Sequence, residues 1–287
     1  MQSVDMSKLG FVVAPLGYLG GSDARPAYRI YPPASGRGSE GPPIEHHEVR
    51  VYDCRAVIDQ LDLDGQGFVV RSQVSASKDF FDGDRVRAHY YPEIEAVVKE
   101  ATGALAVLAF DHNVRSVEGA ARGQAGVRAP VDGAHDDYTE SSGERRIREL
   151  LEAHGRADLC RHRAALINAW RPIRGPVRDK PLAMCDARSA ASADFIETDI
   201  EHFGEGDMTC PRHTGQIYSV RYNPDHRWYY LSDMQPHELL LFKCYDSQRE
   251  GVARFTPHTG FSNPECPAEF TPRESIEART VVVYPRR

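Results

Sequence analysis

Residues 217–245 read IYSVRYNPDHRWYYLSDMQPHELLLFKCY. Three short runs rich in β-branched, aromatic and leucine residues stand in it: 217–222 (IYSVRY), 228–231 (WYYL) and 239–245 (LLLFKCY). Asn, Pro, Asp and Ser separate them, residues that set turns and interrupt strand ladders. Each run is too short for a persuasive helix and about right for a strand. The same character recurs outward from this stretch, at 105–110 (LAVLAF), 166–170 (LINAW) and 280–284 (TVVVY), with smaller β-like pieces at 11–13 and 49–52. Many short strands between turn residues predict a sandwich or barrel. Two helices are readable. Residues 92–101 (PEIEAVVKEA) carry Pro and acidic residues in the first turn and Gly103 just past the end. Ser141 and Glu144 have capping-box spacing, and Ile147, Leu150, Leu151 and His154 recur at helical intervals before Gly155. The expected fold class is therefore mostly β, with packing α-helices covering one outer face.

Composition narrows the function. The chain of 287 residues is 41% hydrophobic and 27% charged, ordinary for a globular protein. That length admits two domains or one large all-β domain, and neither an internal repeat nor a long linker divides it. No apolar run approaches the ~18 residues that span a bilayer, and MQSVDMSKLG has no export pattern. A net charge of -7 argues against a nucleic-acid partner. The six cysteines form no C-x-x-C pair, which excludes a zinc ribbon or thioredoxin motif. Reduced, buried thiols in a cytoplasmic protein are expected. A homo-oligomer is compatible with the sequence, which sets no stoichiometry.

The sharpest local feature is GAHDDYT, residues 133–139, with His135 and Asp137 two apart. On extended backbone these point to one side. An imidazole beside a carboxylate is two thirds of a facial two-histidine, one-carboxylate iron site. The motif alone is weak: 12 histidines and 42 acidic residues generate roughly 1.8 such spacings by chance. The chain has two, and His46 with Glu48 reads as surface. A late partner distinguishes His135 and Asp137: His258 in FTPHTGF, with Arg273 opening the block before the terminal strand. Singly, His258 fits a loop histidine and Arg273 an ion pair with Glu274 or Glu277. In this order they fit a metal site with an adjacent guanidinium to anchor a dicarboxylate.

Longer stretches carry more. DFFDGDRVRAHYYPEIEAVVKEATGA, FDHNVR, HDDYT, NAWRPIRGPVRDKPLAMCD, HRWYYLSDMQPHELLLFKCYDS, PHTGF and PRESIEAR together resemble the CmcJ/NvfI-type oxygenase family, across about residues 45–285. The resemblance implies a double-stranded β-helix (jelly roll, cupin-like) over 45–285 behind an N-terminal extension at 1–44, all one oxygenase domain. It implies iron(II) and 2-oxoglutarate as cofactors, dioxygen, and a small secondary-metabolite substrate that is hydroxylated or desaturated. Carried over, His135, Asp137 and His258 match the iron ligands. Arg273 matches the 2-oxoglutarate anchor, with Arg279 the competing assignment, since residues 273, 275, 277 and 279 share one strand face. Asn168, on one face with Trp170, is expected to hydrogen-bond 2-oxoglutarate. His112 and Arg115 read as a structural turn, Tyr218 or Tyr230 as a hydroxyl donor to a bound carboxylate or as core, and Lys243 with Asp246 as a buried pair. Two other readings stand beside this one: an iron oxygenase or isomerase that needs no 2-oxoglutarate, and a non-catalytic jelly-roll binding or accessory protein.

Overall fold

The computed structural model describes residues 6–21, 25–32, 35–206 and 208–286. Its strands are β1 (Phe11–Leu19), β2 (Ala27–Ile30), β3 (Ile44–Asp53), β4 (Phe68–Ser72), β5 (Ala106–Ser116), β6 (Val127–Arg128), β7 (His135–Asp136), β8 (Ala164–Pro172), β9 (Leu182–Cys185), β10 (Phe195–His202), β11 (His213–Val220), β12 (Trp228–Tyr230), β13 (Glu238–Asp246), β14 (His258–Gly260) and β15 (Glu274–Val283). They form a nine-stranded sheet ordered β1-β3-β12-β9-β14-β7-β11-β10-β2 and a six-stranded sheet ordered β4-β13-β8-β15-β5-β6. One apolar cluster joins the two, with Met184 and Tyr229 of the larger sheet among Trp170, Leu240 and Phe242 of the smaller. Tyr229 belongs to this cluster, whereas its neighbours Trp228 and Tyr230 fall in a second one with Val12, Leu16 and Phe261. That split is the period-two alternation of a strand buried on both sides.

The helices differ from expectation in two ways. The helix Tyr91–Thr102 buries Ile94 and Val98 in the main cluster with Ile167, Ala169 and Val282. The helix Glu140–Ala153 packs Ile147, Leu150 and Leu151 against Leu166, Val281 and Val283, residues of the opposite parity. The two helices therefore lie on opposite faces of the smaller sheet, not on one outer face. The second is capped by Thr139, not Ser141: Ser142 N donates to Thr139 Oγ1 at 3.1 Å and Thr139 N donates to Ser142 Oγ at 2.8 Å. Ser142 Oγ also donates to the Gln216 carbonyl at 2.9 Å, which docks the cap on β11. The cap residue follows Asp137 by two positions, so the helix start fixes the end of the metal motif.

The described part of the N-terminal segment contributes β1 and β2 to the larger sheet. β1 pairs with β3 along its whole length, from Phe11 opposite Tyr52 to Leu19 opposite Ile44. Ala134 N donates to the Gly17 carbonyl at 2.8 Å, one residue before His135. A Cβ on Gly17 would stand 2.2 Å from the Asp132 carbonyl oxygen, so only glycine permits this approach.

Of the six free cysteines, Cys54, Cys185 and Cys244 are buried, while Cys160 and Cys210 are exposed, so burial holds for half of them. No helix among the described residues is long and apolar enough to cross a membrane. Lys243 and Asp246 form the expected buried pair, Nζ to Oδ2 at 2.7 Å, with Asp64 and Arg163 completing the cluster. Replacing Lys243 by Met leaves Asp246 buried with one cation fewer. Such a change is expected to cost about 3–5 kcal/mol. Urea unfolding of K243M checks it; an unchanged midpoint would remove the cluster from the determinants of stability.

Candidate metal centre

β7 and β14 are neighbours, and His258 stands directly opposite His135 in the register. Directly opposed residues carry their Cβ atoms about 4.5–5.5 Å apart. Two imidazoles from distant parts of the chain are thereby set side by side, ring centroids 4.4 Å apart. Asp137 continues from β7 on the same side, its Oδ1 3.8 Å from His135 Nε2. One donor atom from each of the three residues lies within 4.8 Å of the other two.

The orientation of each ring follows from its second nitrogen. His135 Nδ1 lies 2.7 Å from the Gly133 carbonyl, and His258 Nδ1 lies 3.0 Å from the Thr256 carbonyl. A carbonyl oxygen only accepts, so both Nδ1 atoms carry the proton and both Nε2 atoms keep a lone pair. Burial lowers the His135 pKa to about 4, with His258 adding to the effect, and burial lowers that of His258 as well. Both imidazoles are neutral near pH 7, the state a metal requires.

Asp137 is arranged the opposite way. Burial alone would raise its carboxyl, but Arg279, the two histidines and Asn168 outweigh burial and hold it below the usual carboxylate range. Asn168 Nδ2 donates to Asp137 Oδ2 at 2.7 Å, and Arg279 Nε donates to the same oxygen at 3.1 Å. With Oδ2 occupied, Oδ1 is the oxygen turned toward His135. Arg279 also reaches Asp111 at 3.0 Å and Glu277 at 3.4 Å, and the Asn113 amide oxygen accepts from it at 3.0 Å. Arg279 and Asn168, read from sequence as co-substrate ligands, each donate a hydrogen bond to Asp137. The reason is register: Arg279 on β15 stands opposite Asn168 on β8, so both converge on one carboxylate.

Arg273 is placed differently. It is buried at 2% exposure and lines a small cavity together with His135, Asp137, Trp170 and His258. Its Nη1 donates to the Lys180 carbonyl at 2.6 Å, and its guanidinium lies 5.7 Å from the Trp170 ring centroid. Nε has no partner among the described residues, and no carboxylate pairs with the head group. Burial lowers its pKa to about 10, with Arg115 acting in the same sense. Arg115 and Glu277 line the same cavity.

Sequence reasoning missed Asp136. It points away from the triad, and its Oδ2 accepts from Thr256 N at 2.7 Å. Thr256 is the residue whose carbonyl holds His258, so Asp136 ties the strand of one histidine to the loop of the other. The doubled acid in HDD was the available signal, since adjacent strand residues face opposite sides. The remaining candidates stay apart from the triad. His112 Nδ1 meets Tyr91 Oη at 2.9 Å, Tyr218 Oη accepts from Glu140 N at 3.3 Å, and Tyr230 packs on Phe261. His46 and Glu48 are exposed, as expected.

Two histidines and one carboxylate converging inside a β-sandwich define the class, a non-haem iron oxygenase. A family model described as an oxidoreductase/YMDC permease-like domain matches residues 16–283. Hydroxylase/desaturase efuI of Hormonema carpetanum is 35% identical over 257 residues, covering 82% of this chain and 83% of that protein. Alpha-ketoglutarate-dependent dioxygenase tstK of Talaromyces stipitatus is 32% identical over 248 residues, covering 82% and 84%. A solved structure of the iron and alpha-ketoglutarate-dependent endoperoxidase NvfI superposes with a TM-score of 0.81 at 25% identity, covering 96% of this chain and 99% of that one. The chain belongs to this NvfI-type family of iron(II)- and 2-oxoglutarate-dependent oxygenases.

Asn168→Ala removes one of the two donors that hold Oδ2. Losses of this kind weaken metal binding by about 10–100-fold. Competition of N168A with a chelator for Fe(II) measures this, and wild-type affinity would show that Arg279 alone orients Asp137.

Proposed function

We propose that the protein is an iron(II)- and 2-oxoglutarate-dependent oxygenase that hydroxylates or desaturates a small secondary-metabolite substrate, with His135, Asp137 and His258 as iron ligands and Arg273 as the anchor of the 2-oxoglutarate distal carboxylate. One observation carries the reading: a preorganised triad of two neutral imidazoles and one ionised carboxylate, beside a buried guanidinium without an anion. The donor set suits a divalent iron, since imidazole and carboxylate offset part of its charge and leave one face open. A dicarboxylate with a 2-oxo acid end is the ligand whose far carboxylate answers Arg273.

Bound iron with 2-oxoglutarate and dioxygen supplies the oxidation of an unactivated C–H bond, with succinate and carbon dioxide as co-products. The chain's own residues orient and enclose. Gly133 and Thr256 hold the two rings through Nδ1, Asn168 and Arg279 hold Asp137 through Oδ2, and Trp170 and His258 wall the cavity against water. No side chain needs to move a proton. The buried, unpaired Arg273 favours this reading over a 2-oxoglutarate-independent enzyme. The intact triad favours it over an accessory protein.

Residues 1–287 are read as one domain, supported by the pairing of β1 with β3 and its contact beneath the metal motif. Dioxygen and a small molecule are the partners, with neither nucleic acid nor membrane among them. A cytoplasmic place of action accords with six free cysteines.

Asp137→Ala is expected to abolish tight Fe(II) binding, read as metal stoichiometry after anaerobic reconstitution; full occupancy would remove Asp137 from the ligand set. Arg273→Ala is expected to retain iron and to raise the 2-oxoglutarate requirement on the order of 100-fold. The readout is 2-oxoglutarate affinity of the iron-loaded protein. An equal loss in Arg279→Ala without loss of iron would transfer the anchor to Arg279.

A further inference from the structure

On the other side of Asp137 a cleft of about 410 Å³ opens between the helix Glu140–Ala153 and the ends of β10 and β11. That volume suits a small molecule. Asp137 and Arg279 form its inner wall, so Asp137 is shared by the cleft and the metal cavity. Ile200 and Ile217 give it apolar surface. Arg128, Arg145 and Arg146 give it charge.

Those three arginines have unused donors, as do Arg50, Arg161 and Arg221 elsewhere on the surface, but only these three share a cleft with the metal motif among the described residues. Most arginines of this protein donate hydrogen bonds to a carboxylate or a carbonyl, as Arg25, Arg55, Arg163 and Arg188 do. Among the described residues Arg128, Arg145 and Arg146 donate none. Arg145 and Arg146 share one carboxylate, Glu149, at 3.9 and 3.8 Å, too far for a hydrogen bond. Among the described residues Arg128 has no carboxylate partner. A larger cleft of about 530 Å³ shows the contrast. Its two arginines are each paired with a carboxylate, Arg188 with Asp186 at 2.6 Å and Arg254 with Glu140 at 2.7 Å, and none of the triad lines it.

Three guanidiniums with free donors, gathered at one cleft in a chain of net charge -7, are a local field of the opposite sign. A planar guanidinium recognises a carboxylate bidentately, and the isoleucines ask for an apolar body. We propose that this cleft is the substrate site and that the substrate is a largely apolar molecule bearing a carboxylate, gripped by Arg128, Arg145 and Arg146 while its hydrocarbon part lies along Ile200 and Ile217 toward Asp137, the residue that the cleft shares with the metal cavity. The proposal rests on the oxygenase reading above and adds the chemical class of the substrate.

Parinaric acid, a fluorescent polyene carboxylate, and its methyl ester serve as probes, titrated anaerobically into the full chain with and without iron and 2-oxoglutarate. The acid is expected to bind at least about tenfold more tightly than the ester. R145A/R146A is expected to abolish that preference, and R128A to reduce it. R148A, on the same helix but outside the cleft, is expected to keep it. Arg145 and Arg146 sit at exposed helix positions where Ala is well tolerated, and Arg128 is exposed on the short strand β6. Equal binding of acid and ester, binding of neither, or a preference that survives in R145A/R146A would overturn the proposal. So would a fall in 2-oxoglutarate affinity in R145A/R146A, which would make the cleft an entry for the co-substrate. Iron stoichiometry and 2-oxoglutarate affinity of the wild type, measured on the same samples, report separately on the oxygenase reading.

Discussion

A carboxylate nearly out of contact with water must stay ionised at the centre of this protein, and the contact of Asp137 with Arg279 and Asn168 makes that so. Burial pushes Asp137 toward the neutral acid, which would be a poor metal ligand. The guanidinium and the amide both act on Oδ2, so they keep the charge and choose the free oxygen at once. Arg279 is in turn fixed by Asp111, Glu277 and Asn113. The last strand of the chain therefore governs a carboxylate supplied by its middle.

The surrounding fold serves the same end. β7 is only two residues long, too short to hold itself. It is pinned by Gly17 of β1 before it, by β14 and β11 on its edges, and by the Thr139 cap after it. Asp136 adds a crosslink to the loop that carries His258. Each support reaches it from a different region of the sequence, which fits a site whose geometry must survive the departure and return of its ligands.

Much of this was legible beforehand. The strands at 217–222, 228–231 and 239–245 were visible because turn residues cut the apolar runs to strand length. The helix at 92–101 was visible through its Pro, its acidic first turn and Gly103. The triad was legible from the order of HDD and the late PHTGF, reinforced by the family resemblance. The cap at Thr139 was misplaced because Ser141 and Glu144 offer the same local spacing. β1 was undervalued because a strand with alternating exposure looks marginal until its partner is known.

The sequence by itself determined what is local: strand and helix character, the side to which His135 and Asp137 point, and the face shared by Arg273 and Arg279. Those follow from periods of 2.0 and 3.6 residues, which any stretch of chain obeys. Only the tertiary structure decided which arginine meets Asp137 and which remains without an anion, because that depends on pairing β15 with β8 and on the depth at which each side chain ends. It also decided that three surface arginines of one helix and one short strand share a cleft with the metal motif, since proximity across such distances is a property of packing and not of spacing along the chain.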